Sequence, residues 1–175
     1  LPDYIENEIE EWYTQYHQTI FKYVLLMVKD YQQAEDLTHE TFVKAFKYHH
    51  TFKRDSTVKT WLFTIAHNLT IDYLRKKKTI RLFKQIFNSR EDSAPLPDQI
   101  VQLNESVVEL YKALGGLKNP YREVIILRKI KGFSISETSK ILNWSEGKVK
   151  ATLFRALPAL EEQLKKEWYK NEETK

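Results

Sequence analysis

Apolar side chains recur at steps of three and four along most of this chain, and little interrupts them: 175 residues hold four glycines and five prolines. That period is the pitch of an amphipathic helix, and so few turn formers leave no room for the frequent reversals of short strands. The chain is expected to be all-α. Over about residues 4–29 the stripe is Ile9, Trp12, Tyr13, Tyr16, Ile20, Val24, Met27 and Val28. Ala34, Leu37, Thr41, Phe42, Ala45 and Phe46 repeat it, while Glu35, Asp36, Glu40 and Lys44 fall elsewhere on the wheel. The pattern stops over 49–57, where a loop is expected, and resumes over about 58–78 on Leu62, Ile65, Ala66, Leu69 and Tyr73.

Residues 79–102 change character twice. They are first basic and apolar (Ile80, Leu82, Phe83, Ile86, Phe87), then acidic and proline-bearing through Glu91, Asp92, Pro95, Pro97 and Asp98. A flexible linker between two small helical domains, 1–78 and 103–175, is the expected organisation. Helix could persist through Phe87, and the pattern does not decide it. Beyond the linker, Val107, Leu110, Tyr111 and Leu114 predict a helix that Gly115-Gly116 ends in a left-handed turn. Asn119 is expected to cap the next helix, with Pro120 in its first turn, and Gly132 to stop it.

The most informative local signal follows. Ser134-Ile135-Ser136-Glu137 is a capping box, in which the serine oxygen takes the glutamate amide and the glutamate reaches back to the serine amide. Asn143 tolerates a left-handed turn, and Ser145 can cap a further helix through Val149, Leu153 and Ala156. Two short helices with that spacing make a helix-turn-helix. Ile135, Ile141, Leu142, Trp144, Val149 and Leu153 would close its core, leaving Glu146, Lys148, Lys150, Thr152 and Arg155 outward. Such a helix fits the major groove, where side chains meet base edges and cations neutralise phosphates; the plain alternative is a helical hairpin with a solvated basic face. Charge agrees with a polyanionic partner. Lysine and arginine number 28 against 24 aspartates and glutamates, a formal charge of +4, and they concentrate at Arg75-Lys76-Lys77-Lys78, Arg81, Lys84, Lys148, Lys150 and Arg155.

Several functions are excluded by what the residues lack. There is no cysteine, hence no disulfide or thiolate site. His39-Glu40 opens like a zinc-protease motif, but position 43 is Val43, so the second ligand is missing. No glycine-rich phosphate loop or nucleophile elbow occurs. The chain is therefore expected to be no enzyme and to need no cofactor or metal. An acidic start without a basic-then-apolar block, and no stretch apolar enough to span a bilayer, lead to the expectation of a cytoplasmic protein with no stable membrane insertion.

The run from Phe133 through Glu137 to Ser145-Glu146-Gly147-Lys148-Val149-Lys150 and Arg155-Ala156-Leu157 resembles the fourth conserved region of bacterial extracytoplasmic-function sigma factors. Ala34-Glu35-Asp36-Leu37-Thr38-His39-Glu40-Thr41-Phe42 resembles that family's polymerase-docking helix. Trp61-Leu62-Phe63-Thr64-Ile65-Ala66-His67-Asn68, with Asp72 and Arg75-Lys76, resembles its promoter-melting segment. The resemblance implies sigma region 2 at 1–78 and sigma region 4 at 103–175. It implies a factor that binds core RNA polymerase and promoter DNA, is held by an anti-sigma factor, and serves a stress or envelope response. On that basis Ser145, Glu146, Lys148, Val149, Lys150, Thr152 and Arg155 are candidate readers of the minus-thirty-five element. Phe52, Lys53, Arg54, Asp55, Ser56, Thr57, Trp61, Asn68, Asp72, Arg75 and Lys76 are candidates for minus-ten recognition and melting. Asp36, Leu37, Glu40, Thr41 and Phe42 are candidates for polymerase docking.

Each role has a structural alternative. Leu37 and Phe42 suit a core as well as an interface, Trp61 suits a core as well as a base pocket, and Asp72 suits an ion pair with Arg75 or Lys76. The resemblance also implies that residues 91–98 run near the polymerase cleft. Ser139 and Asn143 depart from the family's usual alanine and glycine, and Thr152 stands where arginine is common. Pro158 is expected to kink the last helix by removing the bond to the Phe154 carbonyl. The rival reading is an autonomous helix-turn-helix regulator with a helical sensing or dimerisation domain; a third is a protein-interaction bundle that binds no DNA.

Overall fold

The computed structural model describes residues 3–86, 96, 98–102 and 104–173. Among them every regular element is helical, as the periodicity requires. The chain divides into two compact units, Leu1–Pro95 and Leu96–Lys175.

The first unit is three long helices, α1 (Asp3–Val28), α2 (Tyr31–Lys47) and α3 (Val58–Ile86), each packed on the other two. Their stripes meet in a core where Ile20, Tyr23, Val24, Leu62 and Phe63 are fully enclosed, each such side chain contributing about 1.5–3 kcal/mol of apolar burial. The reversal between α1 and α2 is two residues long. Lys29 takes a left-handed φ of 59° and the Asp30 carboxylate then accepts from the Gln33 amide, which starts α2. Thr38 and Thr41 enter the core because their hydroxyls donate to the carbonyls one turn back, of Ala34 and Leu37. A 3-10 turn (His49–Thr51) and an extended stretch lead to α3, where the Thr57 hydroxyl accepts from the Thr60 amide.

α3 outlasts its buried stripe. It runs to Ile86, so residues 79–86, expected in the linker, are helix whose side chains are all exposed. Good helix formers at Leu82, Lys84 and Gln85, with no glycine or proline to stop them, explain the extension. Phe87, Glu91, Asp92, Pro95 and Pro97 lie outside the described residues, and with them most of the acidic segment at 91–98.

The second unit begins with a short α4 (Asp98–Val101), also within the expected linker, and then α5 (Glu105–Gly115), capped by the Asn104 side chain on the Val107 amide. α6 (Asn119–Ile125) widens into a π turn (Ile126–Ile130), closed by the Lys131 amide on the Ile126 carbonyl at 2.8 Å. α7 (Ile135–Leu142) and α8 (Glu146–Glu173) complete it, and α8 packs against α5, α6 and α7. Two expectations about the α5–α6 turn need correction. Gly116 ends α5 with a right-handed φ of −78°, not a left-handed one. What its lack of a side chain permits is an approach by α8: a Cβ would lie 2.6 Å from Gln163 Oε1. Asn119 is inside α6, and Lys118 precedes it without a side-chain cap. The Arg122 guanidinium instead holds the turn, donating to the carbonyls of Leu114, Gly115 and Leu117. α8 continues through Pro158 to Glu173, with Pro158 exposed.

Candidate nucleic-acid interface

In the second unit the capping box forms as the sequence demands. Ser134 Oγ accepts from the Glu137 amide at 3.1 Å and Glu137 Oε2 accepts from the Ser134 amide at 2.7 Å. Asn143 adopts φ 53°, ψ 46°, the left-handed turn that reverses the chain, and Ser145 Oγ accepts from the Lys148 amide at 3.1 Å to start α8. Ser139, where alanine was the family expectation, donates its hydroxyl to the Trp144 carbonyl and so clasps the turn. Ile141, Leu142 and Val149 are buried between α7 and α8, with Ile135, Trp144 and Leu153 half-buried around them.

Ser145, Glu146, Lys148, Lys150 and Arg155 are exposed. Val149 and Thr152 are not: at 0% and 4% exposure they join Ala156 on the stripe of α8 that faces its own unit, so their assignment as base readers is withdrawn. The Lys148 ammonium lies 4.2 Å from the centroid of the Trp144 ring, a cation–π contact that steers it across the turn. Phe154, not among the expected DNA-contacting residues, is 82% exposed, one turn beyond Lys150 and beside Arg155. A large ring so open to water on a basic face was legible from the four-residue step alone.

In the first unit the segment before α3 presents Lys53, Arg54, Asp55 and Thr57 to solvent, with Phe52 and Ser56 half-buried. Trp61 is neither fully enclosed nor open to water. It is half-buried, lying 5.1 Å from Phe52 and 5.9 Å from Trp12 between ring centroids. Farther along α3, Asn68, Asp72, Arg75 and Lys76 are exposed. Arg75 and Asp72 pair at 3.3 Å, as their three-residue step allows, but both are open to water and the pair is weak. From Tyr73 to Gln85 no carboxylate interrupts the exposed cations Arg75, Lys76, Lys77, Lys78, Arg81 and Lys84. On the buried side of α3, His67 lies with Nδ1 3.3 Å from the Tyr23 hydroxyl, and burial holds its pKa down at about 4 despite the opposing pull of Asp72.

α2 requires the largest correction. Leu37, Thr41 and Phe42 are 8%, 0% and 5% exposed, and Phe42 meets the Tyr13 ring edge-on at 4.9 Å. They are core residues, and the docking role given them from the motif fails on access. Asp36 and Glu40 are exposed, and share their face with His39 and the 52%-exposed Val43. Among the described residues no helix is long and apolar enough to cross a membrane, and no group of three or more His, Cys, Asp or Glu could hold a metal ion.

Comparison with known proteins joins the two surfaces. The family model for Sigma-70 region 2 matches residues 12–80 and that for Sigma-70 region 4 matches residues 108–160. The ECF RNA polymerase sigma factor SigX of Bacillus subtilis is 40% identical over 161 residues, spanning 89% of this chain and 83% of its own. SigM of the same organism is 38% identical over 152 residues, spanning 85% and 90%. Among solved structures, the sigma factor RpoE of Bartonella quintana, in complex with the anti-sigma factor NepR, is similar with a TM-score of 0.74. It is 28% identical, covering 90% of this chain and 97% of that one.

Proposed function

The chain belongs to the extracytoplasmic-function sigma factors of the sigma-70 family, and from that premise we propose a division of labour between its two units. As a family member it binds core RNA polymerase and directs promoter-specific initiation. The first unit docks through the exposed face of α2, Asp36 and Glu40 with His39 and Val43, where charges steer the encounter and one apolar side chain is buried on contact. Its segment Phe52, Lys53, Arg54, Asp55, Ser56 and Thr57, with Trp61, receives bases unstacked from the minus-ten region. Asn68, Asp72, Arg75 and Lys76 follow the strand along α3. The second unit places the first turns of α8 in the major groove of the minus-thirty-five element, with Ser145, Glu146, Lys148 and Lys150 at base edges and Arg155 on phosphate.

The protein acts in the cytoplasm as a specificity subunit and leaves catalysis to the polymerase. An anti-sigma factor is its regulatory partner, by likeness to the RpoE pair. The observation that carries this reading is the pairing of two matched regions with two exposed basic faces, α3 beyond Asp72 and the start of α8.

Transcription from a promoter library by core polymerase plus the purified chain is the test, and specific transcripts are the expected result. A chain that binds its DNA without core would be an autonomous regulator. Lys150→Ala and Arg155→Ala should each weaken duplex binding about tenfold while the fold is retained. Unchanged affinity in both would remove α8 as the reading helix. Asp36→Ala with Glu40→Ala should weaken core binding; Phe42→Ala should act on stability.

A further inference from the structure

Glu8, on α1 and outside the matched residues 12–80, sends its carboxylate to the segment that follows α2. One oxygen lies 2.7 Å from His49 Nε2 and the other 3.0 Å from Arg54 Nη2. The partners are 41 and 46 residues away in sequence, so no local turn preference places them there. Trp12, one helical turn beyond Glu8 and only 6% exposed, continues the contact. The His49 ring stacks on it at 5.4 Å with 23° between planes, and Phe52 and Trp61 meet it edge-on at 5.7 and 5.9 Å. A carboxylate and an indole from one helix thus grip the 3-10 turn, Phe52 and Arg54 together.

The two arms differ in strength. The Arg54 side chain is 70% exposed and its ion pair with Glu8 is correspondingly weak, whereas the His49 and Glu8 side chains are 14% and 22% exposed and their hydrogen bond is shielded. Arg54 also holds a left-handed φ of 59°, which a residue with a Cβ keeps only where its surroundings hold it.

We infer that Glu8 is a positioning residue for promoter opening: with Trp12 it holds residues 49–57 in the shape that captures unstacked bases, without touching DNA itself. The inference rests on the minus-ten role proposed above for that segment. A segment ordered before DNA arrives loses less conformational entropy at capture, and that saving appears as affinity for the single strand.

The test uses holoenzyme reconstituted from core polymerase and the full chain. Its probe is a fluorescent single strand carrying the minus-ten region of a promoter that wild-type holoenzyme selects from a random pool. Glu8→Ala should weaken binding of that strand about tenfold and leave affinity for core and for the upstream duplex within about twofold. Glu8→Gln, which keeps one acceptor oxygen, should fall between. His49→Ala should add little in the Glu8→Ala background, because both remove the same bond. Single-strand affinity unchanged in Glu8→Ala, or core and duplex affinities falling in parallel with it, would overturn the inference. If wild-type holoenzyme itself ignores the single strand, the minus-ten assignment falls first and this inference falls with it.

Discussion

The two DNA-facing regions are built on opposite plans. The helix-turn-helix is fixed by residues within a few positions of one another: Ser134 with Glu137, Ser139 with Trp144, Ser145 with Lys148. The segment before α3 is irregular, and its shape comes from Glu8 and Trp12 on a helix that ends at Val28, well before the segment begins at His49. Local devices are individually small, and their geometry is set by residues a few positions apart. A segment braced from a distance is only as stable as the packing that brings its brace near. The largest expected effect follows from that contrast. Trp12→Ala should cost about 3–5 kcal/mol in urea denaturation, because it empties the centre of a four-ring cluster. Trp144→Ala, at a half-exposed ring in the turn, should cost about 1 kcal/mol. The reverse ranking would break the comparison.

The units also oppose each other in how acid acts on them. Burial lowers the pKa of His67 in the first unit to about 4, and burial raises that of Glu123 in the second to about 7 against the pull of Arg122 and Lys148. A depressed histidine contributes stability that is present above its ordinary value of 6.5 and is lost as pH falls toward 4. A raised carboxyl contributes stability that is present below its ordinary value of 4.5 and is lost as pH rises toward 7. Each window is worth about 3 kcal/mol. Followed through urea by indole NMR signals, Trp12 and Trp61 should report a first unit that weakens on acidification. Trp144 and Trp168 should report a second unit that strengthens over part of the same range. His67→Gln and Glu123→Gln should flatten the two slopes; parallel slopes in the wild type would refute the contrast.

The same contrast explains what could be read from the sequence. The capping box, the Asn143 turn and the Ser145 cap were legible because each is a chemical match across three or four residues. Most of the first unit's buried stripes were legible from the helical period, although Tyr13 on the expected stripe is 41% exposed and the enclosed Tyr23 and Phe63 lay outside it. Leu37, Thr41 and Phe42 differ from the expected docking role for a physical reason: the helical period places them inside, and only the family resemblance puts them on the surface. Val149 repeats the lesson on α8, whereas Thr152 was expected outward from the spacing itself and is buried. Membership in a recognition motif says that a helix is used, and the wheel says which of its residues can be. Other features had no local trace. The Glu8 bond to His49, the approach of Gln163 to Gly116 and the guanidinium of Arg122 under the α5–α6 turn are all products of packing. The end of α3 was hidden for another reason, since residues 79–86 form helix without a buried face to mark it.

The smallest effects sharpen the comparison most, because they test whether the helix-turn-helix is as locally determined as its geometry indicates. Ser134→Ala removes one hydrogen bond of the capping box at an exposed site and should cost about 1 kcal/mol. Asn143→Gly relieves the left-handed backbone but frees the unfolded chain, so the two terms offset and the change should stay within about 0.5 kcal/mol. Asn143→Ala gains no such relief and should cost about 1 kcal/mol or more. If these three changes act locally, their costs, measured by urea denaturation, should be independent of Trp12→Ala and add to it, since they share no partner with the aromatic cluster. Non-additivity between Ser134→Ala and Trp12→Ala would show that the cap and the distant brace answer to a common structure, and the distinction between the two plans would then dissolve.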